Sequence, residues 1–139
     1  MEYKNEMKLK FLSLSENESF ARLAVASFCS CKSLDIDVLS DIKTAVSEAV
    51  TNCVVHAYPD SVGDIEIYVK IEDSSIQIEI QDFGVGIEDV GLALKPFYTS
   101  KPEMERSGMG FTVMEGFMDK MEVVSKKNEG TKISLYKKI

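Results

Sequence analysis

Ile65, Ile67, Val69 and Ile71, followed by Ile76, Ile78 and Ile80, form two runs in which branched apolar residues alternate with mostly polar ones. Between them lies the polar stretch Glu72-Asp73-Ser74-Ser75. Successive side chains of a strand point to opposite faces, so the runs predict a hairpin with one apolar face. Such a face must be covered, which sets the architecture the rest of the chain has to supply.

The remaining periodicities supply it. Met7, Leu9 and Phe11 alternate as another half-buried strand. Ser15 and Glu18 have the spacing of a capping box, and Phe20, Leu23, Ala24, Ser27, Phe28 and Cys31 follow as the apolar stripe of a first helix. Ile42, Val46, Ala49, Val50 and Cys53 mark a second helix, which Pro59 must end because it restricts the residue before it. Periodicity then fails across residues 82–110, apart from a short helix expected around 89–95. Phe111, Met114, Phe117 and Met118 predict a third helix, and strands are expected near 121–124 and 132–136. The sum is an α/β (α+β) two-layer sandwich, with one mixed β-sheet carrying its helices on one face.

At 139 residues the chain suits a single domain spanning 1–139. No apolar run approaches the roughly 18 residues of a membrane span, and no leader pattern is present at the amino terminus, so a cytoplasmic location is expected. The net charge of −7 opposes direct nucleic-acid binding. Cys29, Cys31 and Cys53 lack the second pair that a zinc site needs and are expected as reduced core or near-core residues.

Three stretches carry chemistry. Glu48, Asn52 and His56 recur every four residues, so they stack along one line of the second helix, roughly 110° from its apolar stripe. That line borders the core, and the Asn52 side-chain oxygen suits magnesium, a hard cation that keeps waters and phosphates as its other ligands. Asp82-Phe83-Gly84-Val85-Gly86-Ile87 directly follows a strand. A buried Asp82 carboxylate accepts from an adenine amino group but meets no donor on the guanine carbonyl, while Gly84 and Gly86 let the backbone approach the base. Ser107-Gly108-Met109-Gly110-Phe111 opens the third helix, where free N–H groups and the helix dipole attract phosphate. Lys101 and Arg106 in the preceding loop could close over phosphates as a lid. Neither a P-loop nor a complete G-x-G-x-x-G is present, nor are the kinase H-R-D and V-A-I-K motifs.

In this fixed order the stretches resemble the GHKL (gyrase and histidine-kinase) ATPases: EAVTNCVVHA is similar to their N box, DFGVGI to the first glycine box and SGMGF to the second. Gly130-Thr131 is similar to a late Gly-Thr whose threonine contacts adenine. SENESFAR, IKTAVSEAVTN and TSKPEMERSGMGFTVME extend the resemblance, over nearly the whole chain, to the sporulation anti-sigma-F serine kinases of that superfamily. Departures are Phe83 where an acidic residue is common, Ala57 where glycine is common, and Tyr98-Thr99-Ser100 where Phe-Thr-Thr is common.

The resemblance implies a Bergerat-type ATP-binding fold and a protein that inhibits a sporulation sigma factor. It further implies phosphorylation of an anti-anti-sigma factor on serine, using ATP and Mg2+. Glu48 would be the catalytic base and Asn52 the magnesium ligand. Asp82 and Thr131 would select adenine, and residues 108–111 with Lys101 and Arg106 would steady the phosphates. Glu18 and Arg22 on the first helix would meet the protein partners, both pointing to solvent, and a homodimer is implied. Two alternatives remain: the ATP domain of a two-component histidine kinase acting in trans, and a binding module that holds ATP without catalysis. His56 as the sole histidine weighs against the first, and Glu48 against the second.

Overall fold

The computed structural model describes residues 2–95 and 110–139. Strand β1 (Lys4–Leu12) leads into helices α1 (Asn17–Cys29) and α2 (Ile36–Asn52), and α2 continues as a π-helical turn at Cys53–Ala57. Strands β2 (Asp64–Glu72) and β3 (Ser75–Asp82) form the expected hairpin, closed by only Asp73 and Ser74 because Glu72 and Ser75 already pair. Helices α3 (Val90–Ala93) and α4 (Gly110–Phe117) precede strands β4 (Lys120–Lys126) and β5 (Gly130–Lys138).

The sheet order is β1-β2-β3-β5-β4. Every pairing is antiparallel, where a mixed sheet was expected. The reason lies in the connections. Parallel neighbours need a crossover, but α1 and α2 run as a pair that returns the chain to the sheet end where β1 finished, so Leu12 ends opposite Asp64. Beyond the second glycine-rich stretch, α4 carries the chain to the opposite end, from which β4 and β5 form a second hairpin.

The register stacks Ile67 on Ile80, Val69 on Ile78 and Ile71 on Ile76, and continues from Ile78 to Leu135 and from Ile80 to Ile133. These side chains are fully or almost fully buried. Their cover is Ala21, Val25 and Cys29 of α1, Ile42, Ala45, Val46, Ala49 and Val50 of α2, and Met114 of α4. Each buried isoleucine contributes about 1.5–3 kcal/mol over leaving it in water. Lys137 fastens the end of α4: its ammonium donates to the Phe117 carbonyl at 2.7 Å and reaches Asp41 of α2 at 3.3 Å. A cation on the last carbonyls of a helix satisfies groups that have no partner within the helix.

Three expectations for α1 are corrected. Its buried stripe is Ala21, Val25, Ala26 and Cys29, while Phe20 and Leu23 are about half exposed at 49% and 56%. Small residues face α2, allowing close approach, and the larger ones are displaced outward. The capping box does not form either, since Glu16 is the N-cap residue without a side-chain cap bond. Glu18, expected in solvent, is half-buried and accepts from the Thr51 hydroxyl of α2 at 2.6 Å. Arg22 is also half-buried, its guanidinium 3.4 Å from the Ser19 hydroxyl. Cys29 and Cys53 are buried as expected, but Cys31 is exposed; all are free thiols.

Two glycines test this packing. Gly130 has φ +101°, and a Cβ there would overlap the Asp82 carbonyl oxygen. Gly116 lies in α4 with open space around the Cβ position. Gly130→Ala is expected to lower stability by ~2 kcal/mol or more, whereas Gly116→Ala raises it by about 0.5–1 kcal/mol. Urea denaturation of both variants measures the contrast.

Candidate nucleotide-binding site

The isoleucine rows end in polar ones. Asp82 pairs in register with Thr131, and Thr131 with Ser125, so these residues continue the inner face of β3, β5 and β4 one step past Ile80 and Ile133. Asp82 and Thr131 are buried, at 4% and 8% exposure, yet both line a cleft of about 930 Å³. That is within the range of small-molecule sites. Asn52, Cys53, His56 and Ala57 form one wall, Val85 to Val90 with Leu92 and Ala93 border another side, and Gly110 and Phe111 enter from α4.

The Asp82 carboxylate is held by main-chain donors. Its Oδ1 accepts from Gly84 N–H at 3.1 Å and from Thr131 N–H at 3.2 Å. Burial pushes its pKa up, and the two amides with the Cys53 thiol pull against that rise. With both main-chain bonds on Oδ1, the carboxylate retains acceptor capacity at Oδ2. The Cys53 thiol is itself driven far up, first by burial and then by the adjacent Asp82, so it stays protonated and can donate.

The loop after Asp82 is fixed by the main chain. Val85 N–H donates to the Ala57 carbonyl at 2.9 Å, and Asn128 N–H donates to the Val85 carbonyl at 2.7 Å. The Tyr58 hydroxyl accepts from Phe83 N–H at 2.8 Å and donates to the Asp64 carbonyl at 2.7 Å. A Cβ at Gly84 would overlap the Ala57 carbonyl, and one at Gly86, where φ is +73°, would overlap the Lys126 carbonyl. The close approaches that require these glycines are therefore to the π-helical turn and the β4–β5 hairpin. Helix α3 borders the cleft, with Asp89 capping it by accepting from Leu92 N–H at 2.9 Å.

At the other end of the cleft, the line on α2 meets the start of α4. A Cβ built on Gly110 would lie 3.3 Å from Asn52 Oδ1 and 3.3 Å from Glu48 Oε2, so the two side chains converge on the first residue of α4. Asn52 Nδ2 is buried and has no partner among the described residues. An orphaned buried donor beside a hard carboxamide oxygen calls for a polar ligand, and magnesium with phosphate oxygens fits that donor set. His56 lines the same wall from the π-helical turn, a departure from α geometry often found at functional sites.

The fold thus gathers Glu48, Asn52 and Gly110 around the start of α4, and Asp82, Gly84, Gly86 and Thr131 around the end of β3, with Phe111 also lining the cleft. Lys101, Arg106, Ser107, Gly108 and Met109 lie outside the described residues. Glu18 and Arg22 sit on α1, away from the cleft lining. Reasoning from sequence missed Cys53 and Tyr58 as supports of Asp82 and its loop, and missed Ser125. The signal for Ser125 was present: it is a polar residue at an inward position, in step with Met121 and Val123, at the end of a strand.

Known proteins resemble this chain over nearly its whole length. Residues 11–137 match the histidine kinase-like ATPase domain. The anti-sigma F factor of Caldanaerobacter subterraneus subsp. tengcongensis is 54% identical over 139 residues, covering 100% of this chain and 97% of that protein. The anti-sigma F factor of Clostridium acetobutylicum is 54% identical over 134 residues, 96% of this chain and 94% of its own length. Among solved structures, that of the RsbU and RsbW domains of Rv1364c from Mycobacterium tuberculosis superposes with a TM-score of 0.69 at 18% identity, covering 96% of this chain and 32% of that one, a likeness of fold. The chain belongs to the histidine kinase-like ATPase family and, within it, to the anti-sigma F factors.

Proposed function

We propose that this protein is an ATP- and Mg2+-dependent serine kinase that also holds a sporulation sigma factor inactive. The observation that carries the kinase reading is the convergence of Glu48 and Asn52 on Gly110. A base and a hard oxygen ligand meet at a helix start, as phosphoryl transfer to a hydroxyl requires. Near-complete alignment with anti-sigma F factors supports the sigma factor as one partner, and the resemblance of residues 99–115 to the serine kinases of this superfamily points to an anti-anti-sigma protein as the phosphoryl acceptor. A homodimer working in the cytoplasm is part of the same reading, and no described helix is long and apolar enough to cross a membrane.

Asp82 and Thr131 orient the adenine, and Asn52 binds at the phosphate end with its carboxamide oxygen toward the metal. Lys101, Arg106 and the main chain of residues 107–111 steady the phosphates. Magnesium, when bound with ATP, neutralises phosphate charge. Glu48 takes the proton from the acceptor serine hydroxyl as its oxygen bonds to the γ-phosphorus, and the bond to the ADP oxygen breaks. Incubation with labelled ATP, magnesium and the anti-anti-sigma protein tests the whole reading, with phosphoserine on that protein as the expected product and an unlabelled protein as the refuting one.

Glu48→Gln is expected to lower the transfer rate by about 10²- to 10⁴-fold with ATP affinity nearly intact, because the amide keeps the shape and loses the basicity. Asn52→Ala should instead lose the magnesium-dependent part of ATP affinity. Single-turnover kinetics alongside calorimetric titration separates the two.

Asp82 must be ionised to accept fully, and burial raises its pKa. ATP affinity should therefore fall as pH drops through a window above the ordinary aspartate range. Asp82→Asn should weaken ATP about ten- to a hundredfold at neutral pH and abolish that acid limb. Folding follows the opposite sign. A carboxyl whose folded pKa is raised binds more protons in the native state, so its ionisation removes stability as pH rises through the same window. The nucleotide-free Asp82→Asn protein should accordingly be at least as stable as wild type at pH 7, which thermal melts would reveal.

Arg22→Glu should weaken capture of the sporulation sigma factor in ATP, placing like charge where an acidic partner group is expected, at a cost of up to several kcal/mol. Its ATP affinity should hold, because Arg22 is not among the residues that line the cleft. Pull-down and nucleotide titration of the same variant check both halves, and unchanged capture would remove Arg22 from the interface.

A further inference from the structure

We propose that Ser125 determines which purine the cleft accepts, by locking the Thr131 hydroxyl as a hydrogen-bond acceptor. The inference rests on the cleft being a nucleotide site and goes beyond it, assigning a specificity role to a residue outside the three sequence stretches.

The Ser125 hydroxyl has three close polar neighbours. Ile87 N–H donates to it at 2.7 Å, the Gly130 carbonyl lies 3.0 Å away, and the Thr131 hydroxyl lies 2.7 Å away. A serine hydroxyl has one proton and two lone pairs. The amide can only donate and the carbonyl can only accept. One assignment alone makes all three contacts hydrogen bonds: Ser125 gives its proton to the Gly130 carbonyl and accepts from both Ile87 and Thr131. The Thr131 proton is thereby committed to Ser125, and toward the cleft Thr131 offers lone pairs.

Thr131 stands in register with Asp82, another acceptor, and both line the cleft. Facing residues on neighbouring strands put their side chains about 5 Å apart, within reach of one ligand edge. A pair of acceptors suits an exocyclic amino group, which has only protons to give. It repels a carbonyl at the same ring position, which has only lone pairs. Ser125 thus favours 6-aminopurines over 6-oxopurines. Ser125 also joins the loop after Asp82, through Ile87, to the β4–β5 hairpin, so the same hydroxyl sets both the position and the polarity of this edge.

Without the serine hydroxyl, Thr131 can turn its proton into the cleft and donate to a 6-oxo group. The test is calorimetric titration of the full chain with magnesium ATP and with magnesium inosine triphosphate, which differs at the 6-position and has no 2-amino group. Ser125→Ala should reduce the ATP-to-inosine-triphosphate affinity ratio about three- to tenfold, the range of one neutral hydrogen bond. ATP should weaken while inosine triphosphate holds or improves. Ser125→Thr, which keeps the hydroxyl, should retain the wild-type ratio, and in a Thr131→Val background Ser125→Ala should leave the ratio where Thr131→Val put it. Equal weakening of both nucleotides in a folded Ser125→Ala protein would overturn the proposal, as would an unchanged ratio in Thr131→Val, a variant that decides the matter should Ser125→Ala not fold. A wild-type chain that binds neither nucleotide would instead overturn the nucleotide-site reading itself.

Discussion

Helix α2 must satisfy two surfaces at once, and the rest of the molecule is arranged around that constraint. Ile42, Ala45, Val46, Ala49 and Val50 are fully buried in the core shared with the isoleucine face of β2 and β3. Thr51, near the end of the helix, reaches across to Glu18 of α1. The adjoining Glu48 and Asn52 cannot join the core and cannot escape it, so they stand at its border, where α4 begins. With α1 and α4 packed on either side, α2 is immobilised by apolar contacts, and its two polar side chains inherit that fixed position. Lys137 extends the restraint to the far end of α4.

The cross-strand register serves the other end of the cleft in the same way. Rows of isoleucine, valine and leucine define the inner face until the last position, where Asp82, Thr131 and Ser125 replace them. A carboxylate at that depth is disfavoured by desolvation, and the fold offsets this with two amides and a neutral thiol. Each donor belongs to a different segment: the loop after β3, the start of β5 and the π-helical turn. The polar end of the sheet therefore ties together three segments at the margin of the apolar core.

How far the sequence alone specified this depends on whether a feature is periodic or pairwise. The isoleucine hairpin, the stripe of α2 and the line of Glu48 and Asn52 are periodic, and they stand where the spacing put them. In helix α1 side-chain size does not mark burial. At a close helix contact small residues win, so Ala21, Val25 and Ala26 are inside, and Phe20 and Leu23 are not. Glu18 has the spacing for a cap, but a hydroxyl on α2 is its partner, 33 positions away. Strand direction is not a periodic property, because it depends on how many helices return the chain to one end of the sheet. Gly84 and Gly86 were recognisable as required, though for the base; the atoms that exclude a side chain belong to Ala57 and Lys126.

Ser125 shows most clearly what a linear reading omits. Its position in β4 is visible as an inward polar residue, but its meaning depends on two partners in another strand and one in a distant loop. Only together do they fix where its single proton goes. The same holds for Asn52, whose amide nitrogen is buried without a described partner. Groups that would weaken an ordinary core are concentrated at the cleft: an orphaned donor, a carboxylate raised by burial and a hydroxyl turned acceptor. Such local conflicts are expected where a ligand supplies the missing partners. Because a ligand that binds only the folded state stabilises it by mass action, the nucleotide acts here as the part of the core that the chain does not encode.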